Sequence, residues 1–181
     1  MPRLNQQFFM LLQDDKERFP TFVETGTYEG ATVFSVEDLF KKIYTIEIEN
    51  KFFEETKTFY RGNKIDFLLG DSILVLQDLV PTLESNTIFY LDAHKIPENT
   101  TNGLKNVPIL EEVYIICNQF KHEAVIIINN FRMFGTNFKE NWTDITLERI
   151  IELSNNRIVK QYNMPSDLAK DDRLILHLKT L

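Results

Sequence analysis

The sequence lacks the features that mark secreted, metal-cluster or membrane-spanning proteins. It contains one cysteine, Cys117, so neither an intrachain disulfide nor a thiolate metal cluster can be built from it. Cys117 lies at helical spacing from Val113 and Tyr114, which predicts a buried side chain rather than a reactive thiol. No apolar run approaches the ~20 residues needed to cross a bilayer, and the first residues show no signal-peptide pattern. We therefore expect a cytoplasmic protein that does not bind membranes.

Basic residues are also too few for a general nucleic-acid binder. The chain has 20 Lys and Arg against 27 Asp and Glu, which gives a formal net charge of −7. Such a charge disfavours binding to a phosphate backbone. The length of 181 residues and the 43% hydrophobic content predict one domain, residues 1–181, with a substantial core.

A strand, a tight turn and a helix are predicted in succession between residues 21 and 40. An apolar run ends in Glu24, Gly26 and Gly30 follow, and a segment with helical periodicity comes next. Such a turn brings backbone N–H groups and the positive end of a helix beside a strand end, as in nucleotide-type cofactor sites. Tyr28 interrupts the G-x-G-x-x-G spacing of dinucleotide loops, so an ordinary turn is the alternative.

The second predicted strand, residues 42–48, ends in carboxylates at Glu47 and Glu49. An acidic side chain at this position of a nucleotide-binding βαβ unit can accept hydrogen bonds from ribose hydroxyls. Glu47 lies 23 residues after Glu24, close to the ~20 expected in such units. Glu49 can serve instead, and a solvated strand end is the third possibility.

The third and fourth predicted strands end in further polar residues. Asp71 follows residues 65–69, where it can cap the next helix or reach the exocyclic amine of an adenine. Asp92 and His94 follow residues 87–91, whose continuous apolar character predicts a strand buried on both faces. A carboxylate and an imidazole at the end of a central strand lie next to any substrate in the crevice, which predicts a functional site. The alternative is that Asp92 only caps a helix or forms a salt bridge and that His94 is a surface loop residue.

The rest of the chain completes the pattern. Residues 95–107 are polar and aperiodic, which is typical of a lid or binding loop. A fifth apolar strand, residues 123–128, ends in Asn129 and Asn130, beside Asp92 if the two strands are neighbours. Amphipathic helices are predicted at residues 3–13, covering the sheet or the cleft, and at residues 142–154, with Trp142 at the entry of the latter.

Five β-α repeats, a helix and two terminal strands predict an α/β sandwich with a mostly parallel sheet. Because crossovers between parallel strands are right-handed, all the polar clusters from Glu24 to Asn130 should meet at one edge of that sheet. We therefore predict a ligand-binding cleft at this edge.

Four of these segments resemble the motifs of class I S-adenosylmethionine-dependent methyltransferases. They are Val-Glu-Thr-Gly-Thr-Tyr-Glu-Gly, Tyr-Thr-Ile-Glu-Ile, Leu-Gly-Asp-Ser and Tyr-Leu-Asp-Ala-His. The resemblance covers roughly residues 20–180 and is closest to small enzymes with an Asp-x-His loop, which look related to macrocin-type sugar O-methyltransferases. It implies a Rossmann-like, seven-stranded sheet of order 3-2-1-4-5-7-6 with an antiparallel last strand.

The resemblance also implies a role for each motif residue. The residues expected around S-adenosylmethionine are Glu24, Gly26, Thr27, Tyr28, Gly30, Glu47, Asp71, Ser72 and Asp92. Asp92 and His94 would face the methyl acceptor, where either can accept the acceptor's proton. In metal-dependent relatives a divalent cation lies between the fourth and fifth strands, where this chain has Asp92, Asn129 and Asn130. Amide oxygens alone hold Mg²⁺ weakly, so a metal is the weaker expectation.

The resemblance favours an O-methyltransferase that acts on a small hydroxylated acceptor, a sugar or glycan. A cofactor-binding domain that has lost catalysis and serves as an interaction or regulatory module is the second hypothesis. A nucleotide-dependent oxidoreductase is the third. The sequence leaves the oligomeric state open, a dimer included.

Overall fold

The computed structural model describes residues 4–94, 104–138 and 140–181 and contains seven strands and six α-helices within them. The strands are β1 (Thr21–Thr25), β2 (Lys42–Glu47), β3 (Ile65–Leu69), β4 (Thr87–Leu91), β5 (Ala124–Ile128), β6 (Ile158–Met164) and β7 (Arg173–Leu178). The helices are α1 (Gln6–Leu11), α2 (Ala31–Val36), α3 (Asn50–Phe59), α4 (Ser72–Leu79), α5 (Ile109–Gln119) and α6 (Leu147–Leu153).

The strands form one sheet in the order β3-β2-β1-β4-β5-β7-β6. β1 to β5 are parallel to one another, whereas β7 runs antiparallel to both β5 and β6. The predicted strand order and the antiparallel last strand are confirmed. The carboxyl ends of the five parallel strands therefore share one edge of the sheet.

Helices cover both faces of the sheet because the central strands are apolar on both. β4 and β5 are buried at every position. Alternate side chains enter two separate cores, and burying each contributes roughly 1.5–3 kcal/mol. Val23, Phe89 and Ile126 pack with α4, α5 and α6, while Phe22, Ile88 and Val125 pack with α1 and α2. Cys117 is buried in the first of these cores, as predicted.

The N-terminal helix is shorter than the predicted residues 3–13. The Asn5 side chain accepts a hydrogen bond from the Phe8 N–H (3.0 Å) and so fixes the start of α1, and the chain becomes extended at Leu12. Phe8 and Phe9 are buried against the sheet, so α1 covers the sheet rather than the cleft. Residue 3 lies outside the described residues.

The predicted helix 142–154 is also too long. The carbonyls of Trp142 and Ile145 accept hydrogen bonds from the Gly135 N–H, so both residues belong to a turn. α6 begins only after Thr146, whose hydroxyl accepts from the Arg149 N–H. Trp142 is nevertheless buried, in the loop before α6.

Most of the predicted lid, residues 95–103 of 95–107, lies outside the described residues. Among the described helices, none combines the length and the apolar character required to span a membrane.

Candidate active site

The predicted polar clusters meet at the carboxyl edge of the sheet. Backbone hydrogen bonds join each post-strand segment to the adjacent strand: Gly26 N–H to Ile46 O (2.9 Å), Gly70 N–H to Glu47 O (2.8 Å), Asp92 N–H to Thr25 O (3.2 Å) and Asn129 N–H to Leu91 O (3.1 Å). The segments that follow β1 to β5 thus form one continuous rim. The structure brings the predicted site residues together, and their roles in binding stay predictions.

Glycine is required at the first position after β1. Gly26 has φ +85°, and a Cβ atom there would lie 2.9 Å from the Asp92 backbone oxygen. The β1–α2 loop therefore packs directly on the backbone that follows β4. Tyr28 (φ 49°) and Gly30 (φ 73°) complete the turn, and Gly30 occupies the N-cap position of α2.

Glu47 holds this loop in place. Its Oε2 accepts a hydrogen bond from the Tyr28 N–H (2.7 Å), and its Oε1 accepts one from the Glu49 N–H (2.9 Å). Burial raises the pKa of Glu47, and these N–H groups partly offset the rise. Each carboxylate oxygen can accept a further hydrogen bond, so Glu47 retains capacity for a ligand.

Glu24 is buried at the end of β1. The Thr45 hydroxyl donates to Glu24 Oε2 (2.9 Å), and the hydroxyls of Thr45 and Thr27 lie 2.5 Å apart. Burial raises the pKa of Glu24 well above its ordinary value, and the nearby charges of Asp92 and Glu47 add to the rise, although the Thr45 hydrogen bond opposes it. A cationic ligand would favour the ionised form of all three carboxyls.

Asp71 caps α4, which is the simpler of its two predicted roles. Its Oδ1 accepts from the Ile73 N–H (2.9 Å), and its Oδ2 accepts from the Leu104 N–H (2.6 Å). Asp71 thereby ties α4 to the chain that precedes α5. Ser72 is buried at the first position of α4.

Asp92 is the centre of a hydrogen-bond network between β4 and β5. Its Oδ1 accepts from Asn129 Nδ2 (2.8 Å) and from Asn130 Nδ2 (3.5 Å), and its Oδ2 accepts from the Tyr90 hydroxyl (3.1 Å). Burial raises the pKa of Asp92, while His94 and these hydrogen-bond donors oppose the rise.

This network does not fit a divalent cation. Both amide nitrogens face Asp92, and Asn130 Oδ1 accepts from the Arg132 guanidinium (3.0 Å), whose charge would repel a cation. Asn129 Oδ1 is buried without a hydrogen-bond partner in the described residues. The two asparagines therefore offer a cation only this one neutral oxygen. Mg²⁺ prefers several carboxylate, carbonyl or water oxygens. Among the described residues, no group of three or more His, Cys, Asp or Glu could hold a metal.

His94 lies beside a carboxylate that the sequence did not single out. Its Nδ1 is 3.5 Å from Glu140 Oε1, and Glu140 Oε2 accepts from Trp142 Nε1 (3.1 Å). Glu140 lies in the loop before α6. It does not directly follow a strand, and it belongs to no segment with a periodic apolar pattern. Only its position two residues before a tryptophan could have drawn attention to it.

A second unpredicted acid, Glu112, lies behind the rim on α5. It is fully buried, and burial raises its pKa to about 8. The Ser72 and Thr25 hydroxyls lie close enough to oppose the rise, yet neither Glu112 oxygen makes a hydrogen bond with the described residues. A carboxyl in this position is accommodated best in its neutral form.

No protein-family model matches the sequence, and no curated protein does. Solved structures do match. The O-methyltransferase TomG from Streptomyces achromogenes, solved with S-adenosylmethionine, is 14% identical with a TM-score of 0.63, over 91% of this chain and 74% of TomG. A putative methyltransferase from Streptococcus mutans, solved with S-adenosylhomocysteine, is 13% identical with a TM-score of 0.61, over 91% and 90% of the two chains.

An rRNA methylase from Streptococcus thermophilus is 15% identical with a TM-score of 0.56, over 91% of this chain and 89% of that one. At such identities the similarity speaks for the fold. Together with the strand order, it shows that this chain has the Rossmann-like methyltransferase fold.

Proposed function

We propose that this protein is an S-adenosylmethionine-dependent methyltransferase that methylates a hydroxyl group of a small acceptor. One observation carries the proposal. The acidic and glycine-containing segments after β1, β2, β3 and β4 form a single rim at the carboxyl edge of the sheet, where α/β proteins bind nucleotide-type ligands.

The charge of the rim favours this cofactor over a dinucleotide. Glu24, Glu47 and Asp92 all have raised pKa values, chiefly because of burial, and Glu24 is also influenced by the charges of the other two. S-adenosylmethionine carries a sulfonium and an ammonium group, whose positive charges would offset the repulsion between these carboxylates. The pyrophosphate of NAD would instead add negative charge, which argues against the oxidoreductase hypothesis.

Each segment of the rim then has a role in binding. We assign the methionine part of the cofactor to Glu24 and the Gly26–Tyr28 loop, and the ribose hydroxyls to Glu47. Asp71 and Ser72 would lie on the adenine side.

We assign the catalytic base to His94 rather than to Asp92. The two Asp92 oxygens already accept hydrogen bonds from Tyr90, Asn129 and Asn130, so this carboxylate is suited to stabilising charge and fixing geometry. A neutral imidazole has a ring nitrogen that can remove the hydroxyl proton as the oxygen is alkylated. S-adenosylmethionine, when bound, supplies the methyl group as an electrophile.

The proposed acceptor class is a sugar or glycan, and this narrower choice rests on the resemblance of the motifs. The net charge of −7 supports a small acceptor over nucleic acid. We propose no metal ion for the reaction, because of the amide and guanidinium groups around Asp92.

Calorimetry tests the cofactor assignment. We expect S-adenosylmethionine and S-adenosylhomocysteine to bind at a ratio of about one per chain, by the proposed single cleft, and addition of Mg²⁺ or a chelator to leave the affinity unchanged. Binding of NAD without binding of S-adenosylhomocysteine would contradict the assignment.

Variants at the proposed catalytic positions test the reaction. His94→Ala should leave cofactor binding nearly intact and lower methyl transfer to a panel of hydroxylated acceptors by about 10²-fold or more, and Asp92→Ala should lower methyl transfer as well. Full activity in His94→Ala would rule the catalytic assignment out. Cofactor binding without turnover of any acceptor would favour the interaction or regulatory module instead.

A further inference from the structure

We propose that Glu140 is a positioning residue that fixes the tautomer and the orientation of His94. This inference rests on the proposed function, in which His94 is the catalytic base. It adds an acid from the loop before α6 to a site otherwise built from the strand ends.

The environment of the His94 ring supports this role. Its Nδ1 is buried and has no hydrogen-bond partner among the described residues. Glu140 Oε1 lies 3.5 Å from it, just beyond normal hydrogen-bond length. A buried N–H without an acceptor is unfavourable, and catalytic hydrogen bonds are often long before substrate binds.

Glu140 is itself held in place by Trp142. Its other oxygen, Oε2, accepts a hydrogen bond from Trp142 Nε1 (3.1 Å), and only 9% of its side chain is exposed. Trp142 is 1% exposed, stacks on Phe134 with ring centroids 6.3 Å apart, and donates its backbone N–H to Thr136 O (2.9 Å). The carboxylate is therefore held by a residue that is itself fixed.

The position of Glu140 has a consequence for proton transfer. A carboxylate beside Nδ1 favours the tautomer with the proton on Nδ1, which leaves the lone pair on Nε2, on the other side of the ring. During transfer the acceptor's O–H bond breaks and its proton moves to Nε2. A C–O bond forms, and the methyl–sulfur bond breaks with its electron pair left on sulfur. The positive charge of the sulfonium thus reappears on the imidazole, next to Glu140.

Variants can separate this role from a purely structural one. If Glu140 serves only as acceptor for the Trp142 indole, its charge is not required. Glu140→Gln keeps the volume and an acceptor oxygen for the indole but removes the charge that His94 would sense. Trp142→Phe keeps an aromatic ring against Phe134 but removes the N–H that holds Glu140. Glu152→Gln, on the exposed surface of α6, is the matched control.

Nitrogen-15 NMR of the histidine rings, with His94 identified by its loss in His94→Ala, tests the inference without any acceptor. We expect His94 to be protonated on Nδ1 in the wild-type protein and in Glu152→Gln, and to become a mixture of tautomers in Glu140→Gln and, less completely, in Trp142→Phe. Protonation on Nε2 in the wild-type protein would overturn the proposal.

Steady-state kinetics provide the second readout. We expect Glu140→Gln to lower kcat by about tenfold or more, with the affinity for S-adenosylmethionine unchanged. A folded, cofactor-binding Glu140→Gln with wild-type kcat would also overturn it. If no acceptor is turned over, the proposed function fails, and the NMR experiment alone decides whether Glu140 orients His94.

Discussion

Gly26 lies where an added methyl group would meet the backbone of the segment after β4. Its positive φ and the 2.9 Å approach to the Asp92 oxygen are two separate obstacles to a side chain. Gly135 offers a comparison, because it has a similar φ of +72° and nothing within 4 Å of an added Cβ.

We predict that Gly26→Ala weakens S-adenosylmethionine binding by at least about tenfold, whereas Gly135→Ala leaves it unchanged. Both variants should lose stability, on the order of 1–3 kcal/mol, because alanine is strained at positive φ. Only the first should push the loop away from the backbone after β4. Calorimetry measures the affinities and urea unfolding the stabilities, and equal affinities in the two variants would contradict the prediction.

The residues of the rim could be predicted because each one lies at or soon after the end of an apolar strand, and right-handed crossovers bring such ends together. Glu140 and Glu112 could not be found in this way. Glu140 reaches His94 from an irregular loop, whose course depends on the Trp142 and Gly135 contacts. Glu112 occupies the first turn of α5, where an acidic residue is also expected merely to complement the helix dipole.

At the scale of a single element, α5 is notable for carrying Glu112 into the core beneath the rim. The Glu112 pKa is about 8 in the folded protein, against an ordinary value of 4.5. Between these two pH values the unfolded chain has released the proton and the folded protein has kept it. The contribution of Glu112 to stability is therefore fully present below about pH 4.5 and is lost as pH rises towards 8.

We predict that Glu112→Gln flattens the pH dependence of the free energy of unfolding between pH 5 and pH 8, by up to about 1.4 kcal/mol per pH unit. Glutamine keeps the shape of the neutral acid but has no proton to lose. Glu111→Gln, at the neighbouring, less buried position, serves as the control. Urea unfolding at several pH values gives the slopes, and a Glu112→Gln slope equal to that of wild type would refute the prediction.

Element boundaries were less predictable than element types. The apolar spacing of Trp142 and Ile145 continues the pattern of α6, so periodicity placed the helix start too early. Their carbonyl oxygens instead accept hydrogen bonds from the Gly135 N–H. No local sequence pattern reveals this contact. Likewise, the end of α1 at Leu11 is set by an extended backbone at Leu12, although the side chain of Leu12 is buried with the others.

At the scale of the whole molecule, the alternation of strands and helices was sufficient to predict a mostly parallel sheet whose parallel strands end at one edge. The exact strand order came from the resemblance of four motifs, and the sheet confirms it. The antiparallel β7 lies between β5 and the edge strand β6, and the loop before β7 contributes Asp172, whose carboxylate pairs with Arg132. This contact holds Asn130 and, through it, Asp92 at the rim.

A crystal structure of the complex with S-adenosylhomocysteine would show whether the cofactor binds at the carboxyl edge of the sheet. We expect the nucleoside to lie across the carboxyl ends of β1, β2 and β3, with the ribose hydroxyls within hydrogen-bond distance of Glu47 and the amino-acid part against Glu24 and the Gly26 loop. A nucleoside bound anywhere else on the molecule, or none bound at saturating concentration, would contradict this expectation.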